Sequence, residues 1–215
     1  MPCALCLAGE PLRLSHIVPE FLHREMYDDK HRFFGLSSVA ETPVKWFQKG
    51  LREQLLCGRC EQKLGDYERY ASRVLYHDSL DGTMIGNVVI IRSLDYRSLK
   101  LFLISLLWRF GVTSLEIFRS TKLGPHQEEL RRMIHEENAG HFLQYPCLFT
   151  AVMYDHKHVS DLIVPPCVGR VEGQRVWQFV VGGFLLSFFV GSHNPPASLY
   201  PLFFAGGRYI SNANS

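Results

Sequence analysis

Two Cys-x-x-Cys pairs, Cys3/Cys6 and Cys57/Cys60, restrict what this chain can fold into more than any other feature. Each pair has knuckle spacing, and four thiolates are the set that zinc takes in a closed tetrahedral site. Fifty residues lie between the pairs, so the chain must fold back before residue 57 can meet residue 6. The intervening segment is polar, and a shared ion would supply stability that its few apolar residues do not. A redox pair would sit at the end of a strand in a βαβ unit, and no such pattern is visible. Cys147 and Cys167 stand singly and read as plain buried thiols. The start, MPCALC, has neither a basic nor an apolar leader region, so the expectation is a cytoplasmic protein whose thiols hold metal and form no disulfides.

The 215 residues are 47% hydrophobic and 20% charged, a globular composition. A net charge of only +2 gives little bulk support for nucleic-acid binding, which would need a local basic patch. The longest apolar run, 176–190, is broken by Gln178, Gly182, Gly183 and Ser187. It is shorter than the roughly 20 residues of a spanning helix, so no membrane association is expected.

The chain divides into a zinc-binding module, 1–78, and an α+β body, 79–215. In the module, residues 10–17 have strand character and Pro19 opens a short helix. Residues 28–54 read as a long loop or a pair of short strands around 44–47. A helix starts directly after Cys60, with Leu64, Tyr67, Tyr70, Ala71 and Val74 at helical spacing. In the body, residues 97–111 are apolar nearly all round, as in a buried helix, and a second helix covers about 125–138. A β-rich stretch covers 145–205, with strands at 148–154, 161–164, 175–181 and 184–190. Gly182-Gly183 joins the last two as a two-residue hairpin turn. This part, rich in phenylalanine, reads as a packing surface or as a contact for a protein partner or a second copy.

Between the knuckles stands Ser15-His16-Ile17-Val18-Pro19, and the second knuckle continues as Leu56-Cys57-Gly58-Arg59-Cys60-Glu61-Gln62-Lys63-Leu64-Gly65. In this order the segments resemble the zinc-stapled HNH endonucleases, whose pattern is a CxxC pair, D-H-I-x-P, then L-C-x-x-C-N-x-x-K-G. The resemblance covers residues 1 to about 70. The segments SHIVPEF, LLCGRCEQKLGDYE, LKLFLISLLWRFGVTS and LGPHQEELRRMI also resemble a group of bacterial proteins. That group shares serine before the histidine and glutamate after the fourth cysteine. The HNH resemblance implies a ββα-metal unit that hydrolyses nucleic-acid phosphodiester bonds, with His16 as general base and a divalent ion at the scissile phosphate. Two positions depart from the HNH pattern: Ser15 replaces the acid and Glu61 the asparagine.

Glu61 and Glu68 are seven apart and share a helix face. The candidate catalytic set is therefore His16, Glu61 and Glu68, with His16 and Glu61 as ligands of magnesium or manganese. Arg24, Lys63 and Arg109 are candidates for contact with the substrate. With Arg13, Lys45, Lys49, Arg52 and Arg59, the first two bias this third of the chain toward positive charge, which suits a phosphate backbone. Plainer roles exist for each. His16 could lock a loop, Glu61 could answer the helix dipole, and the cations could be solvated. The competing function is a non-catalytic zinc module that binds nucleic acid or a protein partner.

Overall fold

The computed structural model describes residues 1–35, 45–48, 50–77, 82–86, 88–91, 94–191, 193–203 and 210–212. Lys49 lies outside them. The chain is a mixed helix-and-sheet protein. Strand β1 (Leu12–His16) is followed by two single-turn 3-10 helices, Glu20–Leu22 and Arg24–Met26, where one short helix was expected. The hairpin β2 (Arg32–Gly35) and β3 (Lys45–Gln48) comes next, then β4 (Arg52–Cys57). Strand β4 returns antiparallel to β1 and runs directly into α1 (Gly58–Ser72), which ends in a π turn over Arg73–His77.

The rest of the described chain combines a seven-stranded sheet with helices and one further strand pair. Strands β5 (Gly82–Ile85) and β6 (Val88–Ile91) precede α2 (Tyr96–Val112) and α3 (His126–His135). They are followed by β7 (Cys147–Ala151), the short pair β8 (Met153–Tyr154) and β9 (Lys157–His158), β10 (Val164–Val171), β11 (Gln174–Val181), β12 (Phe184–Phe189) and β13 (Ile210–Asn212). The order across the sheet is β10-β11-β12-β7-β13-β6-β5. Its neighbours are antiparallel except β13 and β7. Gly182 and Gly183 both have positive φ, +58° and +80°, as a two-residue turn that follows the strands' twist requires.

The expected strand 161–164 is displaced. Strand β10 begins at Val164 and continues through Pro165 and Pro166, with an irregular register before Cys167. Prolines argue against a central strand, but β10 lies at the edge of the sheet, where a missing N–H is tolerated. Cys167 is consequently exposed and not the buried thiol expected, whereas Cys147 is buried.

Helix α2 runs between the two parts of the chain, buried from Leu99 to Phe110. One hydrophobic cluster includes Cys57 and Leu64 of the first part with Phe102, Trp108, Phe149 and Leu186 of the second, so the residues before and after 78 share a core. Among the described residues, no helix is long and apolar enough to cross a membrane.

Candidate functional site

The first knuckle is a tight turn in which the Leu7 amide donates to the Cys3 oxygen at 2.8 Å, and Leu7 takes a positive φ of 62°. The Ala4 amide donates to the Leu55 oxygen at 3.0 Å, which fastens the turn to β4. The second knuckle spans the end of β4 and the first turn of α1. Cys57 is the extended residue before the helix, and Cys60 lies one turn in. All four sulfurs lie within 4.8 Å of one another, and Cys6 Sγ and Cys57 Sγ are 3.8 Å apart. A tetrahedral zinc with bonds of about 2.3 Å requires sulfurs about 3.8 Å apart, so the four residues fit that ion. Burial acts against the Cys3 thiolate, but amide hydrogen bonds from Cys6, Cys57 and Leu5 bring its pKa down to about 7. Burial and the neighbouring thiols push Cys60 up.

The cysteine cluster lies at one end of the β1–β4 pair. Leu12 pairs with Cys57 and, after an irregularity at Arg13/Leu14, Ser15 pairs with Glu53 and His16 with Arg52. The side chain of Ser15 is fully buried. Its hydroxyl donates to Glu61 Oε2 at 2.6 Å and accepts from the Leu56 amide at 3.2 Å. Burial raises the pKa of Glu61, and the bond from Ser15 opposes that rise.

His16 ends β1, and its Nε2 is buried with no hydrogen-bond partner. Burial lowers its pKa, and the Arg52 guanidinium lowers it further, so the ring is neutral at pH 7. The main chain of His16 is held from the far side of the core. Arg109, 2% exposed, donates from Nη1 to the His16 oxygen at 3.0 Å and to Glu68 Oε1 at 2.7 Å. Its other nitrogens bond to Ser105. Arg109 thus reaches the first part of the chain as expected, but these bonds go to protein groups and make it a clamp.

His23 packs beside His16, with ring centroids 6.1 Å apart. Its Nδ1 lies 3.0 Å from the Pro19 carbonyl, so that nitrogen carries the proton. Its Nε2 therefore accepts from the Tyr27 hydroxyl at 3.0 Å. Burial drops the pKa of His23 to about 4. Gly50 closes the group with φ +81°, where a Cβ would stand 2.7 Å from His23 Nε2 and 3.3 Å from His16 Cδ2.

Of the sequence candidates, His16, Glu61 and Glu68 lie in one neighbourhood. The Glu68 charge favours protonation of His16 and opposes ionisation of Glu61. They do not form a ready ion site. Among the described residues, the cysteines are the one group of three or more ligating side chains close enough to share a metal. Glu61 is bonded to Ser15 and Glu68 to Arg109, so the residues present do not fit an assembled magnesium or manganese site. Arg24 is exposed on its 3-10 turn. Lys63 lies two residues beyond Glu61, about 200° round the helix. There it donates to the His135 oxygen at 2.8 Å and pairs with Glu137 at 3.2 Å.

The sequence reading gave no specific role to Arg52, Tyr27 or Gly50. The pairing of β1 with β4 was the signal for Arg52, since the strand entering Cys57 must place some residue opposite His16. In comparisons with known proteins, no family model, no curated protein and no solved structure matches the chain.

Proposed function

We propose that this protein is a nucleic-acid phosphodiesterase of HNH type, with His16 as the general base. The observation that carries the reading is the buried, unpartnered Nε2 of His16 on a residue whose backbone is clamped by Arg109. Three polar side-chain pairs near it are engaged: Ser15 with Glu61, His23 with Tyr27, and Glu68 with Arg109. A neutral imidazole held in this way can take a proton from water as the water oxygen bonds to phosphorus and the P–O bond to the leaving sugar oxygen breaks, that oxygen taking a proton from solvent. The antiparallel β1–β4 pair followed by α1 supports the HNH-like reading. Zinc on Cys3, Cys6, Cys57 and Cys60 would fix β1 against α1. Among the described residues, no ligand set for a second divalent ion is assembled beside His16.

One observation favours the non-catalytic zinc module: the two acids nearest His16 are already bound by protein groups. One assay separates the readings. Plasmid DNA and RNA are incubated with the protein alone and with magnesium, manganese or nickel, beside His16→Ala. Cleavage by the wild type that His16→Ala loses supports the hydrolase. No cleavage under any condition, or equal cleavage by the variant, overturns it in favour of the binding module.

A further inference from the structure

Arg52 carries a charge that the described structure leaves unanswered. It opens β4 directly across from His16, half-buried, and its Nε is fully enclosed without a hydrogen-bond partner. No carboxylate among the described residues pairs with its guanidinium. Glu20 acts on His16 and His23 through its charge, but forms no ion pair with Arg52. Glu53, the next residue, faces the other side of the strand and accepts from Thr113 and Ser114. The Nε2 of His16, on the paired strand position, is enclosed and unpartnered as well. Directly paired residues on antiparallel strands project from one face, with Cβ atoms about 4.5–5.5 Å apart. Two enclosed, unanswered nitrogens therefore lie on one face. An enclosed polar atom without a partner is destabilising: the Arg52 donor favours an occupant that accepts a hydrogen bond, and the His16 lone pair favours a water that donates one.

We infer that Arg52 and His16 form a subsite for one phosphodiester group of a nucleic acid, with the Arg52 guanidinium donating to a non-bridging oxygen beside the His16 ring. Taking a nucleic-acid phosphodiester as the anion rests on the proposed function. The geometry supplies the rest: a half-buried cation, an enclosed donor and a ring nitrogen on the same face. The planar fork of arginine suits two oxygens of one phosphate. In the proposed hydrolysis, Arg52 is a substrate-binding residue that holds the phosphate against the water that His16 deprotonates.

The test is binding, measured apart from cleavage. Fluorescence anisotropy of labelled duplex DNA, single-stranded DNA and RNA is followed in EDTA-free buffer without added magnesium or manganese, across a salt series, for the wild type, Arg52→Gln, Arg52→Lys and Arg59→Gln. The last removes a surface arginine that pairs with Glu10. Arg52→Gln is expected to weaken binding of the preferred probe roughly tenfold and to lower the slope of log K against log salt by about one. Arg52→Lys is expected to keep the wild-type slope, a rescue that a merely structural role would not give. An unchanged slope in Arg52→Gln, equal losses in Arg52→Gln and Arg59→Gln, or no binding of any probe by the wild type overturns the subsite. A wild type that binds with the Arg52-dependent slope but cleaves nothing leaves the subsite standing and removes the hydrolase reading. Cleavage with an unchanged slope does the reverse.

Discussion

The guanidinium of Arg109 donates to the main-chain oxygen of His16 at 3.0 Å and pairs with Glu68 at 2.7 Å, joining α2, α1 and the end of β1 at one point. Arg109 is 2% exposed and Glu68 25%. Removing the cation strands a partly buried carboxylate and a carbonyl, and breaking such a pair costs about 3 kcal/mol. Arg109→Met is expected to lose about that much in urea unfolding. Glu68→Gln, which keeps an acceptor for Nη1, is expected to lose less. Equal stability of Arg109→Met and the wild type would show that the clamp is not needed to hold His16.

Stability is expected to fall with acid through His23. Its ordinary pKa of 6.5 applies in the unfolded chain, and burial lowers it to about 4 in the fold. The folded state thus favours the neutral ring. The stabilisation is complete above pH 6.5 and is lost as pH falls from there toward 4. Over that window the difference amounts to about 3 kcal/mol. His23→Asn keeps a donor for the Pro19 oxygen and removes the titration, so its unfolding free energy is expected to be flatter between pH 7 and 4. A parallel profile for variant and wild type, measured by denaturant titration at each pH, would assign the acid sensitivity elsewhere.

Much of this arrangement was legible in the sequence, because short-range chemistry fixed it. The cysteine spacing located the four-cysteine cluster, the helical recurrence of Leu64, Tyr67 and Ala71 located α1, and Gly182-Gly183 marked its hairpin. The prolines of β10 misplaced a strand start because only the sheet order shows that this strand is an edge. The site was legible as a neighbourhood and not as a set of partners. Spacing puts Glu61 and Glu68 on one face of α1, but that Ser15 engages one and Arg109 the other depends on packing between residues 46 and 41 positions apart. Arg52 looked like one surface cation among several until pairing with His16 gave it a place.

Gly50 is expected to tolerate no side chain. Its φ of +81° disfavours any L residue, and a Cβ there meets His23 Nε2 at 2.7 Å. Gly50→Ala combines a left-handed backbone cost of about 1 kcal/mol with displacement of the His23–Tyr27 pair. The expected result is a lower melting temperature and an altered His23 ring environment in proton NMR. An unchanged melting temperature and unchanged histidine resonances would mean that the loop carrying Gly50 gives way without disturbing the rings.

Metal removal tests how far the cysteine cluster supports the whole fold. Purified protein is expected to hold about one zinc per chain, and Cys57→Ser to hold less than the wild type. Ligands arranged only in the folded state convert binding energy into folding energy. Cys57 and Leu64 belong to the same hydrophobic cluster as Phe102, Trp108 and Leu186, and Arg131 of α3 reaches the Leu5 oxygen in the first knuckle. Loosening the knuckles therefore removes support from α2, α3 and the sheet together. A strong chelator at neutral pH is expected to lower the thermal midpoint of the entire chain in one transition, seen alike by far-ultraviolet circular dichroism and by tryptophan fluorescence from buried Trp108 and Trp177. Two separated transitions, with the tryptophan signal unmoved by the chelator, would instead show a metal-dependent module that folds apart from the body.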